Sequence, residues 1–249
     1  MQASIPLPPH RTRLYCVLSS RSLLALTAPS QTPPFGRDAL SSPHARVLNE
    51  GRWANAVLYT IETDGGRWVV KDFAPRPWLV RATIGRLFVA REHAALQRLQ
   101  GIEGVPRDPF RLDANAVGYR FVAGNTLARS KLDGRYAQFF AALERLMQAV
   151  HARGVVHLDS RNSRNVLVTE DDQPVLIDFQ SHLLTERLPG RFRRWLEAYD
   201  MAGVYKHWAR RSPDTIDAPR LEHLGAMNRW RRFWILRGYL GVRKSRPVK

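Results

Sequence analysis

The stretch HLDSRNSRN (157–165), followed by IDFQS (177–181), whose Asp178 lies thirteen residues after Asn165, decides how this chain is read. Asp159, Asn165 and Asp178 bracket two short Val/Leu runs, VLV (166–168) and PVLID (174–178), which read as a hairpin. Each polar residue alone would pass for a turn residue or a strand-end cap. In this order, with Asp178 behind an apolar strand and before Phe179, they form an oxygen-rich cluster suited to Mg2+, a hard ion that shares oxygen ligands with phosphates. Asn165 and Asp178 are the expected metal ligands; Asn165 is preferred to Asn162 because it directly precedes the VLV strand. Asp159 is left to orient, or take the proton of, an attacking hydroxyl.

Working outward, Gly134–Arg153 shows the clearest helical period, with Tyr136, Phe139, Phe140, Leu143, Leu146, Met147 and Val150 recurring at three and four residues. Upstream, VLN (47–49), AVLYTIE (56–62) and RWVVKDF (67–73) read as strands, with Asp64-Gly65-Gly66 as a hairpin turn. RLDANAVGYRFV (111–122) reads as a further strand pair around Asn115, and residues 84–101 as a helix. Two more helical patterns lie near Phe192–Arg210 and Pro219–Leu240. Strands dominate the first half and helices the second, an α+β layout with two lobes.

The residues resemble the protein-kinase superfamily. His-x-Asp, then Asn, then Asp-Phe is the order of its catalytic and metal-binding loops. Lys71 in VVKDF matches the lysine that binds the nucleotide α/β-phosphates, and Glu92 in FVAREHAALQRL the carboxylate that holds it. GRWANAVLY (51–59) is similar to the phosphate-covering loop, which implies that Gly51 and Ala54 approach the nucleotide. FVAGNTL (121–127) looks like the interlobe hinge, which implies nucleotide contacts at Val122 and Gly124. The single-glycine loop, the lack of an Ala-Pro-Glu element and the small C-terminal lobe resemble the RIO-type and lipopolysaccharide (Kdo and heptose) kinase branch of bacteria. The resemblance implies a kinase using ATP and Mg2+, with Lys71, Glu92 and Asp159 as the catalytic set. It also implies that Asp200, in EAYDMAGVYKHW, braces the catalytic loop. Leu158 stands where an arginine commonly precedes the catalytic aspartate, and the aspartate-to-asparagine spacing is one residue longer than the common pattern.

Composition bounds the rest. The 249 residues, 44% hydrophobic, suffice for one two-lobed domain, and the single Cys16 excludes an intrachain disulfide. Seven of the 16 prolines fall before Val47 and the first acidic residue is Asp38, so residues 1–45 are expected to be a disordered tail. Residues 46–249 are then the kinase-like domain, with an N-lobe of about 46–122 and a C-lobe of about 125–249. The net charge of +17 attracts polyanions. Eight basic residues and four aromatics follow Glu222, with no acidic residue among them. That tail suits an anionic membrane surface, or nucleic acid less well, and otherwise a lower-lobe helix with a solvated basic end. The expected location is the cytoplasm, with peripheral contact at the inner membrane face. Three functions stay open: a kinase of lipopolysaccharide-core sugars, a RIO-like protein serine/threonine kinase, and a nucleotide-binding pseudokinase or scaffold.

Overall fold

The computed structural model describes residues 32–233, with side chains to Trp230. An antiparallel sheet of five strands, β1 (Ala45–Asn49), β2 (Val57–Thr63), β3 (Gly66–Asp72), β4 (Phe110–Arg111) and β5 (Ala116–Arg120), is ordered β1-β2-β3-β5-β4. The turn between β2 and β3 puts Lys71 opposite Leu58, and on its other side β3 pairs Lys71 with Val117. Lys71 therefore lies on a central strand, where its side chain leaves the sheet towards whatever packs on that face.

What packs there is helical. The short α1 (Trp78–Val80) runs through a π turn (Arg81–Gly85) into α2 (Arg86–Arg98). A Cβ at Gly85 would lie 2.8 Å from the Phe73 side chain, so glycine lets the helix approach the end of β3. Val89, Glu92, Ala95 and Leu96 are the buried positions of α2, spaced three, three and one apart. The helix expected over 84–101 thus begins six residues earlier; Pro75, Pro77 and the extra residue of the π turn break the period that would have shown it.

After β5 the chain passes through residues 121–124 to β6 (Asn125–Thr126), which pairs with β8 (Val166–Val168); β8 in turn pairs with β9 (Pro174–Leu176). β7 (Val155–Val156) pairs with β10 (Leu183–Leu184). The helices are α3 (Tyr136–Ala152), α4 (Gly190–Arg211) and α5 (Ala218–Phe233). Every apolar residue of the α3 stripe from Phe139 to Val150 is buried, each such side chain contributing roughly 1.5–3 kcal/mol. The buried Glu144 of α3 accepts hydrogen bonds from Tyr205 Oη at 2.6 Å and Arg220 Nη2 at 2.7 Å, joining α3, α4 and α5. Among the described residues no helix is long and apolar enough to cross a membrane. Of the basic-aromatic tail, only the part to Phe233 falls within the described residues.

The boundary expected at residue 45 falls inside a folded segment. Phe35 packs edge-on against Trp68 and Phe110, with ring centroids 6.2 and 5.3 Å away. Arg37 donates to both oxygens of buried Asp72, at 2.9 and 3.1 Å, and also pairs with Asp113. One aromatic and one arginine in a proline-rich stretch carry no period, which is why the sequence reading assigned them to the tail. Phe35→Ala and Arg37→Ala should each destabilise the protein by about 1–3 kcal/mol, through lost aromatic packing and a buried carboxylate left without its ion-pair partner respectively. Chemical denaturation of the two variants measures this. Removal of residues 1–42, silent if the segment were a tail, should lower the melting temperature.

Candidate functional site

Lys71 and Glu92 face each other in the core: Nζ donates to Glu92 Oε1 at 2.7 Å and Oε2 at 2.9 Å. The same ammonium donates to Asp178 Oδ1 at 2.7 Å. Three elements far apart in sequence thus meet at one nitrogen. Burial works against the Lys71 charge, but Asp178 and Glu92 outweigh it and hold the ammonium well above its ordinary pKa. Burial likewise opposes the Asp178 charge, and Lys71 overcomes it, holding that carboxyl below the usual range. Glu92 is lifted by its own burial, against the pull of Lys71 and with Asp178 adding to the lift. Tyr119, buried opposite Val69, is the nearby group that sequence reasoning missed; burial raises its phenol pKa, and it interacts electrostatically with all three charges. Its only signal was its place just before the presumed hinge.

Asp159 lies on a loop shaped from beneath by α4. Asp200, fully buried, accepts the backbone N–H of His157 with one oxygen and that of Leu158, at 2.8 Å, with the other. Leu158 has φ 64°, a left-handed conformation costly for a branched side chain, and this carboxylate clamp holds it there. A Cβ at Gly203 would lie 2.2 Å from Ser160 Oγ, so α4 reaches the loop only because residue 203 is glycine. His157 fixes both ends: its Nε2 lies 3.0 Å from Ile177 O and its Nδ1 3.3 Å from the Asp159 N–H. Its ring packs 4.7 Å from that of Phe179. The loop and the Asp178 turn are therefore built as one unit.

Asn165, buried, donates Nδ2 to Asp159 Oδ2 at 2.7 Å. Asn162 also donates weakly, to Asp159 Oδ2 at 3.4 Å and Asn165 Oδ1 at 3.3 Å. The longer spacing thus adds a second amide beside the carboxylate. Burial raises the Asp159 pKa, while Asn165 and Asn162 pull it down. A carboxylate lifted in this way is a better proton acceptor than an ordinary one.

Asp178 adopts φ 68°, ψ 62° and starts a 3-10 turn at Phe179–Ser181. Arg91 of α2 donates to the carbonyls of Gln180, at 3.2 Å, and His182, pinning the segment that follows. Among the described residues no three His, Cys, Asp or Glu side chains are placed to hold a metal by themselves. One aspartate and one asparagine are instead the partial oxygen set expected where nucleotide phosphates complete the shell of Mg2+. The residues present fit that ion.

The remaining expected residues lie in the two connections. Gly51, at φ 65°, precedes a turn in which a Cβ would meet Ala56 O at 2.4 Å, and Ala54 sits in the same turn. Val122 and Gly124 lie between β5 and β6, where a Cβ on Gly124 would come within 2.6 Å of Val168 O. None of these four bonds directly to the charged cluster. Two surface cavities of about 690 and 550 Å³ do not include Lys71, Asp159 or Asp178.

A family model described as RIO domain matches residues 78–218, more than half of the 249 residues. Among solved structures, the Rio2 kinase-ADP/Mg2+-phosphoaspartate complex from Chaetomium thermophilum is similar with a TM-score of 0.53 at 15% identity, over 76% of this chain and 70% of that chain. Another structure of Rio2 kinase from Chaetomium thermophilum has a TM-score of 0.52 at 15% identity, over 74% of this chain and 71% of that one. At this identity the likeness is one of fold. No curated protein matches.

Under the loop that carries Asp159, His207 of α4 sits buried with Nε2 3.1 Å from Ser160 O. Burial first, and the neighbouring Lys206 ammonium second, push its pKa from 6.5 down to about 4. Between those values the unfolded chain takes up a proton that the folded chain refuses. This contribution to stability is therefore intact above pH 6.5 and declines towards pH 4, by about 3 kcal/mol in all. Denaturant melts across that window should show the decline, and His207→Gln, which can still donate to Ser160 O, should show less of it.

Proposed function

From a chain that belongs to the RIO domain family, with a kinase-like fold, we propose an ATP-dependent phosphotransferase that moves the γ-phosphoryl group to a hydroxyl. The single observation that carries this reading is the meeting of Lys71, Glu92 and Asp178 beside a loop that presents Asp159 and Asn165. Phosphoryl transfer passes through a transition state that needs alignment and charge neutralisation more than covalent catalysis. The cluster supplies both.

Lys71, held straight by Glu92, is the cation that would meet the α/β-phosphates; the Gly51–Ala54 turn would cover them, and Val122 and Gly124 would border the base. Asn165 Oδ1 and Asp178 are the groups that would hold Mg2+, as the ADP/Mg2+ named for the Rio2 complex suggests by analogy. When bound, that ion neutralises charge on the phosphates. Asp159 aligns the acceptor hydroxyl and takes its proton, its carboxylate kept in place by the Asn165 amide and the Asp200-held backbone. The complete set counts against a non-catalytic nucleotide-binding scaffold.

For the acceptor, family membership favours a protein serine or threonine. A sugar hydroxyl on a lipid-linked core is the second reading. It is favoured by the brevity of the segment between Asp178 and α4, which Arg91 pins to the N-lobe and which offers little extended surface to a peptide. Incubation with labelled ATP and, separately, a generic protein acceptor or lipid-linked core sugar distinguishes them, and transfer to neither, with no ATP turnover, would refute the reading.

Asp159→Asn should lower turnover by about 100-fold or more with ATP binding retained. Asp178→Ala should abolish Mg2+-dependent nucleotide binding while the protein stays folded, as judged by circular dichroism. Lys71→Met should weaken nucleotide use, and Glu92→Gln should give a milder defect of the same kind, measured as KM for ATP.

A further inference from the structure

The outer side of α1, the π turn and α2 carries side chains that phosphoryl transfer does not use. Trp78, Leu79, Ile84 and Leu87 are 71, 59, 44 and 55% exposed. Across a π turn, positions five apart line up as positions four apart do in an α-helix, so Leu79 and Ile84 share one line and Leu87 lies a turn further on. Val80, Gly85 and Val89, on the other side, are buried. The ridge extends to the phosphate loop: Arg76, just before α1, donates to Glu50 O, which brings the loop carrying Trp53, 74% exposed, to the same end of the lobe. Apolar surface gathered this way on one face marks a contact site.

The charges around the ridge say what it contacts. From Phe73 to Arg91 there is no acidic residue, and the exposed Arg81 and Arg86 alternate with the apolar positions. Two copies meeting face to face would set arginine against arginine in a chain of net charge +17, which disfavours self-association. Tryptophans at the edge of an apolar helical face, flanked by the exposed Arg81 and Arg86 and by no acidic residue of this stretch, match the boundary between lipid headgroups and acyl chains. We propose that the Trp78–Leu87 ridge, with Trp53, is a docking surface for anionic membrane lipid. It uses none of the basic residues that follow Glu222 and does not depend on which acceptor is phosphorylated.

Vesicle co-sedimentation tests this, using phosphatidylcholine alone and phosphatidylcholine mixed with phosphatidylglycerol, at low and high salt. The full chain should bind the mixed vesicles at low salt and be released at high salt. Arg81→Glu/Arg86→Glu and Leu79→Ser/Leu87→Ser, both with the tail intact, should each weaken binding about tenfold or more. All four side chains are exposed, so both variants should keep the wild-type melting temperature; single Leu79→Ser serves if the doubles do not fold. Wild-type binding by the variants, or no binding of the mixed vesicles by the full chain, overturns the proposal. So does a concentration-dependent dimer on size exclusion that the variants abolish, because a second copy would then cover the ridge.

Discussion

A lysine ammonium shared by two carboxylates is the constraint around which this molecule is arranged. Burying one positive charge is costly unless it is paired, and leaving two carboxylates close together without it would be worse. β3, α2 and the Asp178 turn are therefore held in one geometry, because displacing any of them strands a charge. That the strand supplies the lysine, the helix the glutamate and the lower lobe the aspartate makes the contact a measure of whether the two lobes are correctly closed.

The lower lobe uses a different device for its own precision. Asp200 makes no contact with Asp159, yet it accepts two successive backbone amides ahead of it and so holds Leu158 in a conformation it would otherwise avoid. Gly203 and His207 bring α4 close enough for this to happen. The position of Asp159 is thus set by a helix that begins about thirty residues later, and strain in the loop is balanced by hydrogen bonds in the core.

Much of this was legible in the sequence where spacing and chemistry coincide. The α3 period, the β2–β3 hairpin and the Asp159, Asn165 and Asp178 cluster each carry a local pattern that survives folding. Lys71 and Glu92 were legible only through resemblance, since a lone helix glutamate looks the same whether it is solvated or pairs with a strand twenty-one residues away. Phe35 and Arg37 were not legible, because their partners Trp68, Phe110, Asp72 and Asp113 are distant and nothing local announces them. The start of the helix at Trp78 was hidden by a π turn, which shifts the apolar positions by one residue. Asn162, set aside in favour of Asn165 as a metal ligand, places its amide beside Asp159, a contact that no local pattern announces. The end of the basic tail lies outside the described residues.

Arg91 sits one residue before Glu92 on α2 and holds the carbonyls of Gln180 and His182. The helix that positions the lysine partner is thereby fastened to the stretch that follows Asp178. A cooperative opening unit is defined by such fastenings rather than by sequence continuity. Opening of residues 180–182 away from α2 therefore breaks both Arg91 contacts, so the two stretches are energetically coupled.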